Sequence, residues 1–398
     1  MRLYLQDCGL ATPIGTGKAA VAAALFAETT DGLTHSRTLI SGRTVRVGAV
    51  SGALPPLPAA LQDIESRNNR LMLLALEEIA PAVKAARTRY GRDRIAVVLG
   101  SSTSGIAAGE DALECLVKTG AWPDGFHYHQ QELTALTALA TRRFDIDGPA
   151  YTIATACSSS AKVFASARRL MRAGLADAVI VGGADTLCRM TINGFAALEL
   201  LADDRCNPFS RNRDGINIGE GASAFLIGRE ESDIELLGAG ETSDAHHMTA
   251  PEPSGQWAAA AMHQALDQAA LTPADIAYVN LHGTGTRLND AMEAAAVSQV
   301  FGDQVPCSST KGLTGHMLGA TGGCEAGFLW LTLHPAYNPM RRLPVHRWDG
   351  QWDSSLPALR YVTANMRLPQ NTPLAMLSNS FGFGGSNAAV VLGLARHD

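Results

Sequence analysis

The sequence predicts an α/β protein built from two similar halves. Short apolar runs alternate along the chain with longer stretches rich in alanine and leucine, a pattern typical of strands layered against helices. Two segments, GEGASAFLIG (219–228) and FGGSNAAVVLG (383–393), both lead from glycines through small residues into an apolar run. An internal repeat explains the similarity of the two segments, although chance would also produce it. The predicted halves are 1–234 and 235–398, and no low-complexity linker separates them.

The predicted elements follow from the length and composition of each run. Strands are 4–8 residues rich in β-branched and apolar side chains, and helices are longer runs rich in alanine and leucine. Strands are predicted near 2–6 and at 94–100, 151–155, 177–183, 223–228, 233–240, 276–282 and 388–395. Helices are predicted at 69–88, 159–173, 256–270 and 289–300, and after Gly319.

Composition excludes several classes of protein. With 398 residues, 46% of them hydrophobic, the chain can bury a large core, and disorder is excluded. The net charge of −6 does not favour nucleic acid as a partner. No apolar stretch of about 18 residues or more is present, so no membrane span is expected, and the N-terminal segment lacks the features of a signal peptide. Seven cysteines with no C-x-x-C pair are typical of a reducing cytoplasm, and they disfavour disulfides and a zinc knuckle.

Cys157 lies where a predicted strand turns into a predicted helix. In YTIATACSSSAKVFASARRL the apolar run ends just before the cysteine, and the alanine- and serine-rich helix begins just after it. The N-terminus of that helix directs unpaired N–H groups towards the sulfur, which favours thiolate over thiol. This layout resembles a nucleophile elbow. A small buried side chain, the role of most free cysteines, is the alternative.

Two histidines lie in glycine-rich turns. His282 ends the strand of NLHGTGTRLND, where Asn289 or Asp290 is expected to cap a helix and Glu293 stands at the capping-box spacing. His316 lies in KGLTGHMLGATGG, five residues after Lys311. Glycines beside a histidine imply close approach of backbone or ligand. Each histidine alone is more simply a structural residue.

Together with Cys157 the two histidines leave two alternatives, a metal site or a thioester site. The three residues lie on separate loops without the paired spacing of zinc ligands, so zinc is disfavoured. Near the C-terminus, LSNSFGFGGSN is predicted to form a loop whose backbone N–H groups could face an oxyanion. It lacks the G-x-G-x-x-G spacing of dinucleotide sites.

Four motifs in order, ATACSSS, HGTGTRLND, KGLTGHMLGATGG and NSFGFGGSN, resemble the decarboxylating (elongating) β-ketoacyl-acyl-carrier-protein synthases of the thiolase superfamily. Two connecting segments, NPFSRNRDGINIGEGA and SDAHHMTAPEP, are similar to that family as well. The resemblance implies a five-layered αβαβα fold of two pseudo-repeated halves. It also implies a dimer with Cys157 near the interface.

The resemblance assigns a role to individual residues of the motifs. It implies Cys157 as nucleophile, His282 and His316 as the catalytic histidine pair, and Lys311 as the motif lysine. The backbone N–H groups of Cys157 and Phe383 would form the oxyanion hole, with Phe383 also gating the acyl pocket. Supporting acids would be Asp290, Glu293 and Glu325, and phosphopantetheine would contact Thr249, Thr284 and Thr286.

The implied reaction is a decarboxylative Claisen condensation of an acyl group on Cys157 with malonyl-acyl carrier protein. It needs no metal and no redox cofactor, since the substrates arrive on the carrier's phosphopantetheine arm. The partners are an acyl carrier protein and a second synthase-like subunit, identical or different, with no nucleic acid and no membrane. Arg67 and Arg70 could bind the acidic carrier, although each could instead belong to a solvated helix face.

Three rival classes are disfavoured by the same motifs. A thiolase needs a second catalytic cysteine in its C-terminal glycine-rich loop, and NSFGFGGSN contains none. A cysteine hydrolase would leave His316 and Lys311 without a role. A non-catalytic chain-length partner typically lacks the nucleophile, which Cys157 provides here. The N-terminal third matches the family loosely, so the pathway, fatty-acid, aryl-polyene or polyketide-type, stays open.

Overall fold

A computed structural model describes residues 1–27, 29–370 and 374–395. Its strands are β1 (Tyr4–Thr12), β2 (Gly15–Thr16), β3 (His35–Thr38), β4 (Thr44–Val47), β5 (Ile95–Gly100), β6 (Ala150–Ile153), β7 (Ala178–Asp185), β8 (Gly221–Gly228), β9 (Ile234–Ser243), β10 (Ile276–Asn280), β11 (Pro306–Ser308), β12 (Arg360–Tyr361), β13 (Ala375–Gly382) and β14 (Ser386–Leu394). Its helices are α1 (Lys18–Leu25), α2 (Arg67–Tyr90), α3 (Ile106–Thr119), α4 (Ala135–Phe144), α5 (Ser159–Arg172), α6 (Arg189–Ala197), α7 (Gln256–Ala269), α8 (Arg287–Phe301), α9 (Lys311–Thr314) and α10 (Thr321–Leu333).

The strands form two sets with the same pattern. In the first, β5 lies parallel to β6 and β7, and β8 and then β1 follow as antiparallel neighbours. In the second, β10 lies parallel to β11 and β13, and β14 and then β9 follow antiparallel. The two segments with similar sequences form β8 and β14, which occupy equivalent positions in the two strand sets. The sets meet where Tyr4 of β1 pairs with Glu235 of β9.

Helices cover both faces of each strand set, which produces five layers. Alternate residues of β7 show this: Val179 and Val181 face the central helices, whereas Ile180 faces α2 and α4 on the outside. In the second set, α7 and α8 form the outer layer over β10, β13 and β14. Helices α5 and α10 pack against each other in the middle. The αβαβα architecture expected from the resemblance is confirmed.

Small residues allow the two central helices to approach closely. A Cβ on Gly322 of α10 would lie 2.6 Å from the Cβ of Ala161 on α5. The backbone N–H of Gly323 donates a hydrogen bond of 2.8 Å to the hydroxyl of Ser160. Since α5 follows Cys157 directly and α10 follows the His316 loop, this packing fixes the two loops relative to each other.

The predicted strands and helices correspond to elements of the structure, with two differences. LSNSFGFGGSN is not a loop: it forms the end of β13, a tight turn and the start of β14, because its backbone pairs with both neighbouring strands. Helix α8 begins at Arg287 with Thr286 as its N-cap, so Asn289 and Asp290 do not cap it. Among the described residues, no helix has both the length and the apolar character needed to cross a membrane.

Candidate active site

Cys157, His282 and His316 line one cavity of about 250 Å³. The cysteine comes from the turn between β6 and α5, one histidine follows β10, and the other follows α9. The two imidazole rings lie 5.2 Å apart between centroids and nearly perpendicular, at 86°. All three side chains are buried, with exposures of 2% to 6%. The fold thus places a thiol and two imidazoles from distant parts of the chain around the same space.

The turn that carries Cys157 has a strained backbone and is closed by a backbone hydrogen bond. Ala156, the residue before it, adopts a φ of 51°, a left-handed conformation that costs a residue with a side chain about 1 kcal/mol or more. The carbonyl of Thr155 accepts a hydrogen bond from the backbone N–H of Ser158 at 3.3 Å. The sulfur is faced by two backbone N–H groups, its own and that of Phe383. Such donors are what an oxyanion hole requires, and their role in one stays a prediction.

The thiol of Cys157 keeps its proton at neutral pH. Burial raises its pKa to about 12, since the low-dielectric surroundings disfavour the thiolate. The positive charge of Lys311 and the two N–H groups act in the opposite direction but do not overcome the burial. The backbone N–H groups favour the thiolate, in the direction expected from the sequence, but burial outweighs them.

The loop of His282 is held by two carboxylates of α8. Glu293 accepts hydrogen bonds from the backbone N–H groups of His282 and Gly283, at 2.7 and 2.6 Å. Asp290 accepts one from the N–H of Gly285 at 3.2 Å. Gly283 has a φ of 36°, which a residue with a side chain adopts with difficulty. The two acids therefore support this loop through its backbone and make no hydrogen bond to an imidazole.

The loop of His316 is anchored on the other half of the chain. Its backbone N–H donates to the carbonyl of Asn217 at 2.7 Å, and its carbonyl accepts from the N–H of Gly219 at 2.8 Å. Gly315, just before it, has a φ of 70°. A Cβ there would lie 2.9 Å from the Asn217 carbonyl oxygen, so this close pairing requires glycine. The second histidine is thus positioned by a strand-like contact between the two halves.

Lys311 and Glu325 form a buried ion pair beside the histidines. The ammonium Nζ lies 2.7 Å from the Glu325 carboxylate, and both side chains are 1% exposed. The same ammonium donates a hydrogen bond to the backbone carbonyl of His282. The lysine therefore ties α9, α10 and the His282 loop together.

Both imidazoles are neutral at physiological pH. Burial lowers the pKa of His282 and of His316 well below 6.5, and the nearby charge of Lys311 lowers both further. A neutral imidazole carries one N–H donor and one acceptor nitrogen. The pair can therefore donate hydrogen bonds to a developing negative charge at neutral pH.

The remaining residues predicted for the substrate also line the cavity. Thr249, Thr284, Thr286 and Phe383 are all in its wall. The hydroxyl oxygens of Thr284 and Thr286 are 2.9 Å apart and share a hydrogen bond. The ring of Phe383 lies 5.5 Å from that of Phe195. Their contacts with phosphopantetheine and an acyl chain stay predictions.

The two arginines predicted to bind a carrier protein have partners within the chain. Nε of Arg67 donates to the carboxylate of Glu220 at 2.9 Å, and that carboxylate is fully buried. Arg70 is paired with Glu65 at 2.5 Å. Both guanidiniums are partly exposed, at 40% and 34%. The structure thus gives each arginine a role in holding α2, and carrier binding by them stays a prediction.

Sequence reasoning missed several residues of the cavity. Phe195 of α6, Leu200 and Ile216 supply apolar wall, and Arg287 adds a cation. Phe195 and Leu200 lie in segments without a motif, so no local signal pointed to them. Ile216 and Arg287 lie in segments that resemble the family, where they were overlooked. Thr321, which contacts the ring of His316, was overlooked although it lies within the motif KGLTGHMLGATGG. Among the described residues, no group of three or more side chains could hold a metal ion.

Family models cover most of the chain. The model described as "Beta-ketoacyl synthase, N-terminal domain" matches residues 28–233, and "Beta-ketoacyl synthase, C-terminal domain" matches residues 234–341. The two matches are adjacent and together span the cysteine and both histidines.

Individual proteins agree with the family models. The chain is 34% identical over 350 residues to 3-oxoacyl-[acyl-carrier-protein] synthase 2 of Staphylococcus aureus, which covers 82% of this chain and 84% of that protein. A solved complex of a ketosynthase with its chain length factor from Xenorhabdus doucetiae contains a chain that is 44% identical, with a TM-score of 0.92 over 99% of this chain and 98% of that one. A β-ketoacyl synthase from Burkholderia phymatum shares the fold, with 24% identity and a TM-score of 0.85 over 99% of this chain and 100% of that one. The chain belongs to the β-ketoacyl synthase family.

Proposed function

We propose that this enzyme elongates an acyl chain by decarboxylative condensation with malonyl-acyl carrier protein, with the growing chain held as a thioester on Cys157. The observation that carries the proposal is the single cavity that holds one thiol and two neutral imidazoles. A thiol supplies a covalent acyl carrier, and the two imidazoles supply donors for an enolate. The resulting β-ketoacyl-acyl carrier protein is two carbons longer than the acyl group that was loaded.

The first half-reaction transfers the acyl group to the cysteine. The sulfur of Cys157 attacks the carbonyl carbon of an acyl thioester, and its proton ends on the pantetheine sulfur, which leaves as a thiol when the carbon–sulfur bond breaks. During the attack the carbonyl oxygen becomes negative. The backbone N–H groups of Cys157 and Phe383, which face the sulfur, donate hydrogen bonds to this oxygen and stabilise its charge.

The second half-reaction generates and uses a carbon nucleophile. The bond between the malonyl carboxylate and the methylene carbon breaks, carbon dioxide leaves, and the electron pair becomes an enolate on the thioester. Neutral His282 and His316 donate hydrogen bonds to the enolate oxygen, and removing one such donor typically costs about 3–4 kcal/mol. The enolate carbon then bonds to the acyl carbonyl carbon, the bond from that carbon to the Cys157 sulfur breaks, and the sulfur takes up a proton from solvent to become a thiol again. These steps need no metal and no redox cofactor.

We propose an acyl carrier protein and a second synthase-like subunit as partners. One exposed surface fits the second subunit: strand β6 ends the sheet at an open edge, and the segment after α3 reaches it, since the Thr152 hydroxyl of β6 donates to the Leu133 carbonyl at 2.9 Å. Large apolar side chains of α3 and of that segment are exposed. The exposed fractions of Leu113, Val117, Trp122 and Tyr128 are 54%, 79%, 53% and 68%. An exposed apolar patch beside an open strand edge is typical of an interface. The subunit is a second copy or a chain-length-factor-like chain, and native mass spectrometry distinguishes the two.

Two findings support these partners. The solved chain that is 44% identical comes from a ketosynthase in complex with its chain length factor. The name of the Staphylococcus aureus relative specifies an acyl-carrier-protein substrate. We place the reaction in the cytoplasm and in fatty-acid, aryl-polyene or polyketide-type chain elongation. The free cysteines in the described part of the chain agree with a reducing compartment.

The proposal is tested by incubating the protein with acyl-carrier proteins of varied acyl length and with malonyl-carrier protein, followed by intact mass spectrometry. We expect an acyl adduct that maps to Cys157 and a carrier-bound product extended by two carbons. Cys115 serves as the internal control, because it is the only one of the described cysteines that is not buried. A folded protein without an adduct from any donor would instead indicate a non-catalytic chain-length partner, the second candidate function.

Arg287 is expected to contribute to the binding of carrier-linked substrates. Among the described residues in the cavity wall it is the single lysine or arginine, and it is exposed, whereas the phosphopantetheine arm carries a phosphate. We expect Arg287→Ala to raise KM for malonyl-carrier protein about fivefold with kcat unchanged, which corresponds to about 1 kcal/mol. The difference from wild type should shrink at high salt.

The matched control is Lys84→Ala, which removes one exposed positive charge from the far end of α2. We expect this variant to keep the wild-type KM. An equal rise in both variants would show that KM follows the net charge of the protein, and the assignment of Arg287 would be wrong.

A further inference from the structure

A buried hydrogen bond joins His316 to the first residue of α10. Oγ1 of Thr321 lies 3.1 Å from Nδ1 of His316, and the two residues are 0% and 2% exposed. Nε2 of this ring makes no hydrogen bond to the described residues and is not enclosed by protein atoms, so it is the nitrogen that faces the cavity. The contact therefore lies on the side of the ring opposite to the reacting groups.

The position of Thr321 is fixed by the packing of the two central helices. The next two residues, Gly322 and Gly323, are the points at which α10 touches α5, the helix that follows Cys157. One turn further along, Glu325 holds Lys311. Residues four apart lie on the same face of a helix, so one face of α10 contacts both His316 and Lys311. The hydroxyl is thus held at a set distance from the ring.

The direction of the hydrogen bond follows from counting donors and acceptors. Within the described part of the chain, the Thr321 hydroxyl and the His316 Nδ1 have each other as their single hydrogen-bond partner. If the hydroxyl donates, both groups are satisfied and the ring proton sits on Nε2. If Nδ1 donates instead, the buried hydroxyl proton has no acceptor, which is unfavourable.

We propose that Thr321 is a positioning residue that donates its hydroxyl hydrogen bond to Nδ1 of His316 and thereby holds the Nε2–H tautomer of His316 towards the cavity. The consequence for catalysis rests on the proposed function, in which this N–H stabilises the enolate. Thr321 itself does not touch the substrate.

His282 provides an internal comparison within the same site. Its Nδ1 is buried and has no hydrogen-bond partner among the described residues. No hydrogen bond to Nδ1 from the described residues therefore sets its tautomer. Loss of the Thr321 hydroxyl should change the protonation pattern of His316 and leave that of His282 as it is.

The proposal is tested with Thr321→Val, which keeps the shape of the side chain without the hydroxyl, and Thr321→Ser, which restores the hydroxyl. Nitrogen-15 NMR of histidine-labelled protein reports which ring nitrogen carries the proton, and His316→Ala identifies the signals of His316. We expect Nε2–H in wild type and in the serine variant, and a substantial fraction of Nδ1–H in the valine variant. Malonyl decarboxylation should fall about tenfold or more in the valine variant and recover to within about twofold with serine.

The possible outcomes distinguish a failure of this inference from a failure of the proposed function. A valine variant that keeps Nε2–H and the wild-type rate would overturn the inference, as would equal losses in the valine and serine variants. A tautomer change without any change in the decarboxylation rate would refute the catalytic role of the hydrogen bond. If the tautomer changes as expected while even wild type decarboxylates no malonyl donor, the assignment of Thr321 stands and the proposed function fails.

Discussion

Replacing Cys157 with glutamine is expected to abolish elongation while malonyl decarboxylation continues at or above the wild-type rate. The variant has no sulfur to accept an acyl group, so no adduct and no extended product can form. The glutamine amide places a carbonyl oxygen near the N–H groups of Cys157 and Phe383 and so resembles the acylated site. His282 and His316, which act on the malonyl group, are unchanged. Carbon dioxide release and intact mass spectrometry measure the two activities separately.

The matched control for this variant is Cys115→Ala. Cys115 lies on α3, is partly exposed and is outside the cavity wall. We expect this control to keep both elongation and decarboxylation. A fall in both activities in Cys157→Gln would contradict the division of labour between the thiol and the two imidazoles.

Removing one member of the Lys311–Glu325 pair is expected to cause the largest loss of stability. Lys311→Met leaves a carboxylate at 1% exposure without its cation, and breaking a buried pair in this way costs about 3–5 kcal/mol. Burial already raises the pKa of Glu325 above its usual value, and without the lysine the pKa rises further. A carboxyl group whose pKa is higher in the folded than in the unfolded protein destabilises the fold at neutral pH, where it is ionised. Protonation at low pH removes this cost, so the loss of unfolding free energy in Lys311→Met should be smaller at low pH than at neutral pH.

Urea unfolding of single and double variants measures this effect. We expect the double variant Lys311→Met with Glu325→Leu to recover most of the stability, because no uncompensated charge remains. It should not recover elongation, since the hydrogen bond to the His282 carbonyl and the charge beside both histidines are gone. As a control, Glu77→Gln breaks a surface pair with Arg143 and should cost less than about 1 kcal/mol. Single variants at Lys311 that unfold like wild type would contradict the role of the pair.

The segment 375–382 shows why one strand of the sheet was not predicted. Its letters AMLSNSFG combine buried serine and asparagine with glycine, a composition that locally indicates a loop. The segment is a strand because β10 and β14 bond to its backbone from both sides. Its polar side chains have partners from other elements: Asn379, for example, donates to Glu293 at 3.2 Å. Only long-range pairing makes this composition compatible with a central strand.

The helices α3 and α6 were missed for a different reason. An amphipathic helix is recognised by one continuous apolar stripe that faces the core. Leu113 and Val117 of α3, and Met190 of α6, are more than half exposed, so apolar residues lie on the outer face as well. If these surfaces bind the second subunit, their apolar side chains belong to an interface and not to the core of this chain.

The sequence by itself predicted the fold class and the three side chains of the site. The local signals, a cysteine between a strand and a helix and histidines flanked by glycines, each also had a structural explanation, and it was the family resemblance of four ordered motifs that assigned their roles. Only the tertiary structure decided the protonation of Cys157, which burial keeps as a thiol, and the partners of Glu293, which are backbone N–H groups. Both outcomes depend on burial and on groups that are distant in sequence, and no local pattern of residues encodes these quantities.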